Sequence, residues 1–159
     1  MNSVQLWRIS KHTALFRADD LSGEGAKITG GRWNKKSLAV TYSSSTIALA
    51  TLETLAHIGS EIAARNRFLI AISVPVKLWN KREIITAAEL DPSWLAEPPG
   101  MFSIEFGSTW LEGRSAALLL VPSIIVPEEF NVLINPKHPD AKKISAKIVR
   151  QFIYDPRLN

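Results

Sequence analysis

The stretch GGRWNKKSLAVTYSSSTIALATLETLAHIG, residues 30–59, combines four different features within one short span. A Gly-Gly-Arg-Trp-Asn loop comes first, followed by a strand that ends at Tyr42, a serine cluster, and an apolar helix that carries one acidic residue, Glu53. We interpret this stretch as one wall of a cleft that binds an anion and a sugar.

The helix in this stretch is indicated by its two ends and by its spacing. Ser44 or Ser45 is a suitable N-cap, because a short hydroxyl side chain accepts hydrogen bonds from the open amides of a first turn. Gly59 is a suitable end, because glycine readily adopts the left-handed conformation after a last turn. Apolar residues recur at three- and four-residue steps and predict a buried stripe made of Ala48, Leu49, Leu52, Leu55 and Ala56.

Glu53 lies at the edge of this stripe, between Leu49 and Ala56 on the helix surface. A carboxylate close to an apolar face loses hydration unless it is paired or used for function. One interpretation is a boundary residue that reaches water or pairs with His57, four positions later. The other is a functional carboxylate, and the sequence leaves both open at this point.

The loop before the strand has the residue types of an anion site. Gly30 and Gly31 lack a Cβ, so the backbone there can turn tightly or come close to a ligand. Arg32 follows directly, and its planar fork of donors matches a phosphate bidentately. Trp33 and Asn34 either stack and hydrogen-bond at such a site or close the loop. An ordinary turn with a solvated arginine remains the alternative.

Composition and length indicate one globular domain, covering residues 1–159. The chain is 46% hydrophobic and 21% charged, which is a globular and not a disordered composition. No apolar run is long enough to span a bilayer, and the N-terminus does not resemble a signal peptide, so we expect no membrane association. The chain contains no cysteine, which excludes disulfides and thiolate catalysis and fits a cytoplasmic location.

Metal and nucleic-acid sites are not favoured by the charged residues. The three histidines, His12, His57 and His138, form no ligand-spaced pair, so we predict no metal site. The net charge of +4 is modest and suits an anionic ligand or an acidic partner. Lys and Arg are not clustered as in a dedicated nucleic-acid binder, so no direct nucleic-acid binding is expected.

The remaining patterns predict an α+β fold in which a few helices pack against a mostly antiparallel, split sheet. Period-two patterns and apolar runs predict strands at residues 4–9, 38–42, 67–76, 79–86, 130–135 and 146–154, and in two pieces across residues 116–126. Residues 102–112 predict a helix that ends at Gly113 and buries an aromatic stripe in the core. Residues 10–31 are expected to be irregular.

Three polar residues of these elements are candidates for a site. Arg8 lies on the first strand, where a solvated strand arginine is the alternative. Tyr42 is expected at a strand-to-helix corner, where its ring either contacts a ligand or is half-buried with its hydroxyl in water. Ser123 follows Pro122, whose missing amide predicts a kink that turns the serine toward a cleft. A backbone-satisfied serine is the ordinary alternative.

An ordered set of short motifs resembles the RES-domain proteins along nearly the whole chain. The family is named for an Arg, a Glu and a Ser, which the resemblance assigns here to Arg32, Glu53 and Ser123. The motifs are Trp7-Arg8-Ile9, Ser22-Gly23-Glu24-Gly25-Ala26, Gly30-Gly31-Arg32-Trp33-Asn34, Tyr42, Glu53, Val121-Pro122-Ser123 and Asn135-Pro136-Lys137-His138-Pro139.

The resemblance implies a fold, a substrate and a partner. RES proteins are toxins of bacterial Xre–RES toxin–antitoxin modules, with a fold similar to ADP-ribosyltransferases. They use NAD as substrate and degrade it by hydrolysis or phosphorolysis, or move ADP-ribose onto a protein. An Xre-family helix-turn-helix antitoxin binds the toxin and blocks its site. The sequence leaves a protein ADP-ribosyltransferase as the alternative, and a non-catalytic or RNA-directed basic toxin as a third reading.

The chemistry of NAD cleavage is compatible with these residues. Breaking the nicotinamide–ribose bond builds oxocarbenium character on the ribose, which one carboxylate, Glu53, stabilises. Arg8 and Arg32 would hold the pyrophosphate or a ribose edge, Tyr42 the nicotinamide ring, and Ser123 the ribose or the amide. We therefore predict Arg32, Glu53, Tyr42 and Ser123 as catalytic residues. The predicted NAD-binding residues are Arg8, Arg32, Tyr42 and Ser123.

Overall fold

The protein, as a computed structural model, is described over residues 2–60 and 62–158. Its strands are β1 (Ser3–Lys11), β2 (Thr41–Ser44), β3 (Arg67–Pro75), β4 (Glu83–Ile84), β5 (Leu118–Pro122), β6 (Phe130–Ile134) and β7 (Ser145–Gln151). Its α-helices are α1 (Glu24–Thr29), α2 (Ile47–Leu55), α3 (Val76–Trp79) and α4 (Met101–Gly113). Short 3₁₀ turns occupy Ala87–Glu89, Pro92–Leu95, Pro139–Lys143 and Pro156–Leu158.

The strands form one sheet in the order β4-β5-β6-β2-β1-β3-β7. Neighbouring strands are antiparallel except β4 and β5, which are parallel. β1 and β3 pair along their whole length, from Ser3 with Pro75 to Lys11 with Arg67. By contrast, β1 and β2 meet at Trp7 and Ser44, so the sheet is narrowly joined at its middle. The predicted α+β class with a mostly antiparallel sheet is confirmed, and this narrow junction separates the two halves of the one sheet.

Both faces of the sheet are covered, which explains why β5 and the centre of β3 are apolar on both faces. Every residue of β5 is buried, as expected for a strand with apolar layers on both sides. On one face, Leu6, Ile70 and Ile72 belong to the largest core cluster. On the other face, α2 packs against β1 and β3 through Ala50, next to Ile9 and Leu69.

The helix α4 covers the second half of that other face. Its aromatic stripe is confirmed as core, since Trp110 is buried and Phe102 and Phe106 pack against the same cluster. The helix approaches the loop of residues 31–34 closely. A Cβ at Gly107 would lie 1.9 Å from the carbonyl oxygen of Trp33, so only glycine fits this crossing. The loop is therefore held against the core by α4.

The helix α2 differs from its prediction at both ends. Its N-cap is Thr46, whose hydroxyl accepts from the Leu49 amide at 3.1 Å, and not Ser44 or Ser45. Ser44 is unavailable because it lies in β2, paired with Asn131. The helix ends at Leu55, before the predicted stop at Gly59.

The buried face of α2 is also smaller than predicted. Its buried residues are Leu49 and Ala50, whereas Ala48 and Ala56 are exposed and Leu52 is 41% exposed. The predicted stripe followed the spacing of apolar residues around Leu49. The structure instead places the sheet toward Ala50, because the short helix crosses β1 with that side inward.

Other helices and strands also begin or end at residues that differ from the prediction. The region predicted to be irregular contains α1, which starts after Gly23 and stops at Gly30, both with positive φ. Residues 79–86 form the end of α3 and the two-residue β4 instead of one strand. Tyr42 lies inside β2 and not at its end.

The second apolar piece after Pro122 is not a strand. Ser123 accepts from the amides of Ile125 and Val126, which makes a turn there. The last strand, β7, ends at Gln151, because after it Phe152 folds back into the cluster under α2. In both places a local side-chain contact ends the sheet pairing that periodicity alone predicted.

The described part of the chain contains neither a membrane-spanning helix nor a cluster of metal ligands. Over residues 2–60 and 62–158, no helix combines the length and apolar character needed to cross a membrane. The same residues contain no group of three His, Asp or Glu side chains placed to hold a metal ion.

Candidate active site

Glu53 projects from α2 toward the ends of two sheet strands. Its carboxylate oxygen Oε1 accepts from the Ser123 hydroxyl at 2.6 Å and from the Asn131 amide nitrogen Nδ2 at 2.8 Å. No side chain or amide of the described residues donates to the other oxygen, Oε2. Glu53 is half-buried. One carboxylate oxygen is thus fixed by the protein while the second can accept from a ligand hydroxyl.

Ser123 is fully buried and uses its hydroxyl completely. It donates to Glu53 and accepts from the amides of Ile125 and Val126, each at 3.1 Å. Its own amide donates to the Glu129 carbonyl at 2.9 Å. This hydroxyl therefore orients the carboxylate, and its geometry favours a positioning role over direct contact with a substrate.

Asn131 and Ser44 complete the support of Glu53, and the sequence reasoning did not single out Asn131. The Asn131 oxygen Oδ1 accepts from the Ser44 hydroxyl at 2.7 Å, so its NH₂ group must face Glu53. Ser44 was considered only as a helix cap. A sequence signal existed, because an asparagine within the otherwise apolar β6 has to satisfy both its donor and its acceptor.

Within the described part of the chain, the contacts of Glu53 do not include the predicted alternative, a side-chain pair with His57. His57 Nδ1 lies 2.7 Å from the backbone carbonyl of Glu53, so the histidine ring contacts the helix backbone. The salt bridges among the described residues do not include a pair between these two side chains. The carboxylate of Glu53 turns instead toward Ser123.

Tyr42 anchors the loop of residues 31–34 to the sheet. Its hydroxyl accepts from the Trp33 amide at 3.1 Å and donates to Asn34 Oδ1 at 2.6 Å. Burial raises the pKa of the Tyr42 phenol above its ordinary value, and the Trp33 amide and the charge of Arg32 oppose that rise. A Cβ at Gly31 would lie 2.9 Å from the Tyr42 hydroxyl oxygen, which explains glycine at this position. Tyr42 is thus a neutral, fixed side chain.

Arg32 leaves this loop and reaches the segment of residues 94–97. Its Nη1 donates to the carbonyl oxygens of Trp94 at 3.0 Å and Ala96 at 2.7 Å. Its Nη2 forms an ion pair with Glu97. The side chain of Arg32 is 13% exposed, while that of Glu97 is 71% exposed. The guanidinium is thus nearly buried, with a solvent-exposed carboxylate over it.

Arg8 lies at the narrow junction between β1 and β2. Its Nη1 donates to the Tyr42 carbonyl at 3.2 Å, while its buried Nε has no partner among the described residues. Burial lowers the pKa of the Arg8 guanidinium, and the charge of Asp20 opposes this. Strand alternation puts Arg8 on the face of Leu6, opposite the face on which α2 packs. An incompletely satisfied arginine is a candidate for binding an anion.

The structure therefore divides the predicted site residues into two groups. Glu53 and Ser123 are in direct contact. Arg8, Tyr42 and Arg32 lie around the other end of β2 and its preceding loop, without a hydrogen bond to Glu53 among the described residues. The strand β2 connects the groups, because Tyr42 and Ser44 are two residues apart and share a face of the sheet.

Glu53 and the loop that carries Arg32 therefore lie toward the two ends of β2 on one side of the sheet, whereas Arg8 lies on the opposite face. Two strand residues span about 7 Å, so the arrangement suits an extended ligand better than a single small ion.

Comparison with known proteins adds a family and several relatives. A family model described as "RES domain" matches residues 5–155. A Sphingobium sp. protein named "Prs ADP-ribosylating toxin" is 51% identical over 156 residues, covering 98% of this chain and 97% of that protein. A Yersinia enterocolitica protein named "Toxin Res" is 34% identical, covering 98% and 99% of the two chains.

A solved structure shares the fold. A chain in the crystal structure of the M. tuberculosis MbcT–MbcA toxin–antitoxin complex matches with a TM-score of 0.67, covering 93% of this chain and 85% of that one. The two sequences are 16% identical, so the likeness concerns the fold alone.

Proposed function

Since the chain belongs to the RES-domain family, we propose that it is a toxin that cleaves the bond between nicotinamide and ribose in NAD. The observation that carries this proposal is the Glu53 carboxylate, held through one oxygen by Ser123 and Asn131. The names of its relatives as toxins support the biological role. The matched span of residues 5–155 supports a single RES domain over residues 1–159.

The proposed reaction needs one carboxylate and no strong acid. As the bond breaks, its electron pair goes to the positively charged nicotinamide nitrogen, which leaves as a neutral base. The ribose carbon becomes cationic, and the negative charge of Glu53 stabilises it. The second Glu53 oxygen accepts a ribose hydroxyl. The acceptor then bonds to the ribose carbon. A water acceptor gives its proton to the solvent, whereas phosphate bonds through an ionised oxygen.

The remaining residues would hold the rest of NAD. Arg32 supplies a guanidinium group for a phosphate, which such a group binds bidentately. Arg8 lies on the opposite face of the sheet from Glu53 and would support the NAD site through its bond to the Tyr42 carbonyl. Tyr42 offers an aromatic ring for the cationic nicotinamide. Ser123 and Asn131 act through Glu53, because their polar groups are already directed to it. No metal is required by this scheme.

Water or phosphate is the acceptor in our primary proposal, which makes the protein an NAD-degrading enzyme. A protein acceptor is the second candidate. It is favoured by one observation, the 51% identity to a protein named "Prs ADP-ribosylating toxin" over nearly the whole length of both chains. The two candidates share the Glu53 chemistry and differ only in what attacks the ribose carbon.

A partner is also part of the proposal. The solved structure with this fold is a toxin–antitoxin complex, which supports an antitoxin for this chain. We propose an Xre-family helix-turn-helix protein that covers the site, with both proteins in the cytoplasm where NAD is available. The DNA-binding function would belong to that partner and not to this chain.

The test is NAD consumption by purified protein freed of any partner, followed by nicotinamide release with and without inorganic phosphate. Loss of NAD only with phosphate identifies a phosphorylase, and loss in both conditions identifies a glycohydrolase. Adenine-labelled NAD incubated with cell lysate reports transfer to a protein. If purified, folded protein releases no nicotinamide under any of these conditions, the proposal is refuted.

Two variants link the activity to the site. Glu53→Gln keeps the shape but removes the charge, and we expect nicotinamide release to fall by about a hundredfold or more, as for loss of a preorganised electrostatic group. Glu112→Gln is the matched control, because Glu112 is an exposed glutamate paired with Lys35 at 3.4 Å. Toxicity that persists in Glu53→Gln would support the RNA-directed alternative instead.

A further inference from the structure

The guanidinium of Arg32 is already engaged within the protein. Nη1 is shared between two backbone carbonyls, of Trp94 and Ala96, and Nη2 faces the carboxylate of Glu97. A phosphate that binds Arg32 through its fork of donors therefore meets a carboxylate in the same place. Carboxylate and phosphate oxygens compete for the same guanidinium donors.

The three partners of Arg32 are not equally easy to displace. The two carbonyls belong to the backbone of a segment whose Trp94 side chain is buried in the core, so they are fixed. The Glu97 side chain is 71% exposed, and exposed ion pairs contribute little to stability. Only the carboxylate of Glu97 has to swing into solvent to open Arg32, and the carbonyls keep the guanidinium in position meanwhile.

We propose that Glu97 is an intramolecular competitor for the phosphate groups of the substrate at Arg32, and that it sets the Michaelis constant of the enzyme. This inference rests on the proposed function, because it takes NAD as the substrate. Glu97 occupies Arg32 in the ligand-free protein and is exchanged for a phosphate on binding. It is an affinity-determining residue and takes no part in breaking the glycosidic bond.

The experiment compares the full-length wild-type protein with Glu97→Gln. Glutamine keeps the length of the side chain but not its charge, so the competitor is weakened. We expect calorimetry to show that ADP-ribose binds Glu97→Gln about two- to fivefold more tightly than wild type. This factor corresponds to the free energy of an exposed ion pair. KM for NAD should fall by a similar factor, while kcat stays unchanged because Glu53 is untouched.

The matched control is Glu89→Gln. Glu89 is an exposed glutamate eight residues before Glu97, in the 3₁₀ turn Ala87–Glu89, and its carboxylate accepts from the Thr86 hydroxyl at 2.9 Å instead of pairing with Arg32. Glu89→Gln removes the same formal charge as Glu97→Gln. An increase in ADP-ribose affinity that occurs only in Glu97→Gln therefore supports competition at Arg32. An equal increase in ADP-ribose affinity in Glu89→Gln would mean that only the general surface charge matters, and would overturn the inference.

The remaining outcomes separate this inference from the proposed function. If wild-type protein consumes NAD but Glu97→Gln has equal or weaker affinity for ADP-ribose, Glu97 is no competitor and the inference alone fails. If wild-type and both variants neither bind ADP-ribose nor consume NAD, the proposed function fails and the inference with it. Thermal unfolding of Glu97→Gln shows that the variant is folded in either case.

Discussion

Replacing Ser123 by alanine is expected to destabilise the fold as well as the site, because the hydroxyl makes three hydrogen bonds inside the protein. It donates to Glu53 at 2.6 Å and accepts from the amides of Ile125 and Val126 at 3.1 Å each. A bond to a charged group contributes about 2 kcal/mol, and a neutral bond about 0.5–1 kcal/mol. We therefore expect Ser123→Ala to lower the free energy of unfolding by about 3 kcal/mol.

Urea unfolding of the purified variant measures this loss directly. For a chain of this size, about 3 kcal/mol corresponds to a fall of about 6–12 °C in Tm. In a Glu53→Ala background the serine has already lost its charged partner, so the same replacement should cost at least about 1 kcal/mol less. This difference isolates the bond between Ser123 and Glu53 from the two amide bonds.

Ser103→Ala is a matched control, because Ser103 is also fully buried but its hydroxyl has no partner among the described residues. It lies in the first turn of α4, where alanine is the better helix former by about 0.5 kcal/mol. Its replacement should leave stability unchanged or raise it slightly. Equal effects of the two replacements, or a loss below about 1 kcal/mol for Ser123→Ala, would refute the reasoning from hydrogen bonds.

Two further predictions concern the loop next to the site. Gly107→Ala should destabilise the protein by about 3 kcal/mol or more, because the new Cβ would meet the Trp33 carbonyl oxygen at 1.9 Å; a stability within about 0.5 kcal/mol of wild type in urea would contradict this crossing. Tyr42→Phe removes the bonds to Trp33 and Asn34 and should cost about 1–3 kcal/mol.

Because burial raises the pKa of Tyr42, the unfolded chain releases this proton first. The contribution of the protonated Tyr42 phenol to the free energy of unfolding is therefore complete below about pH 10 and is lost as the pH rises further. Unfolding measured from pH 8 to 11 should show a shallower alkaline loss in Tyr42→Phe, and equal slopes in both proteins would contradict the assignment.

Local patterns in the sequence were sufficient for the elements whose contacts follow a simple period. The strands β1 and β3 and the helix α4 lie close to their predicted positions. The long apolar run of β3 is buried on both faces at its centre, and α4 buries residues at three- and four-residue spacing. The elements that differed were short. In α1, α2 and β4, few residues define a period, so caps, glycines and the neighbouring strand decided where each begins and ends.

The sequence by itself determined the residue types of the candidate site: a carboxylate on a helix, arginines beside glycine and strand residues, a tyrosine, and a serine after a proline. The tertiary structure decided which of them meet. Glu53 and Ser123 are 70 positions apart, and Arg32 and Glu97 are 65 apart, yet each pair is in contact. Asn131 supports Glu53 from 78 positions away. Such pairs leave no mark in local spacing, because they form only when α2 and the loop of residues 94–97 fold against strands that are distant in the chain.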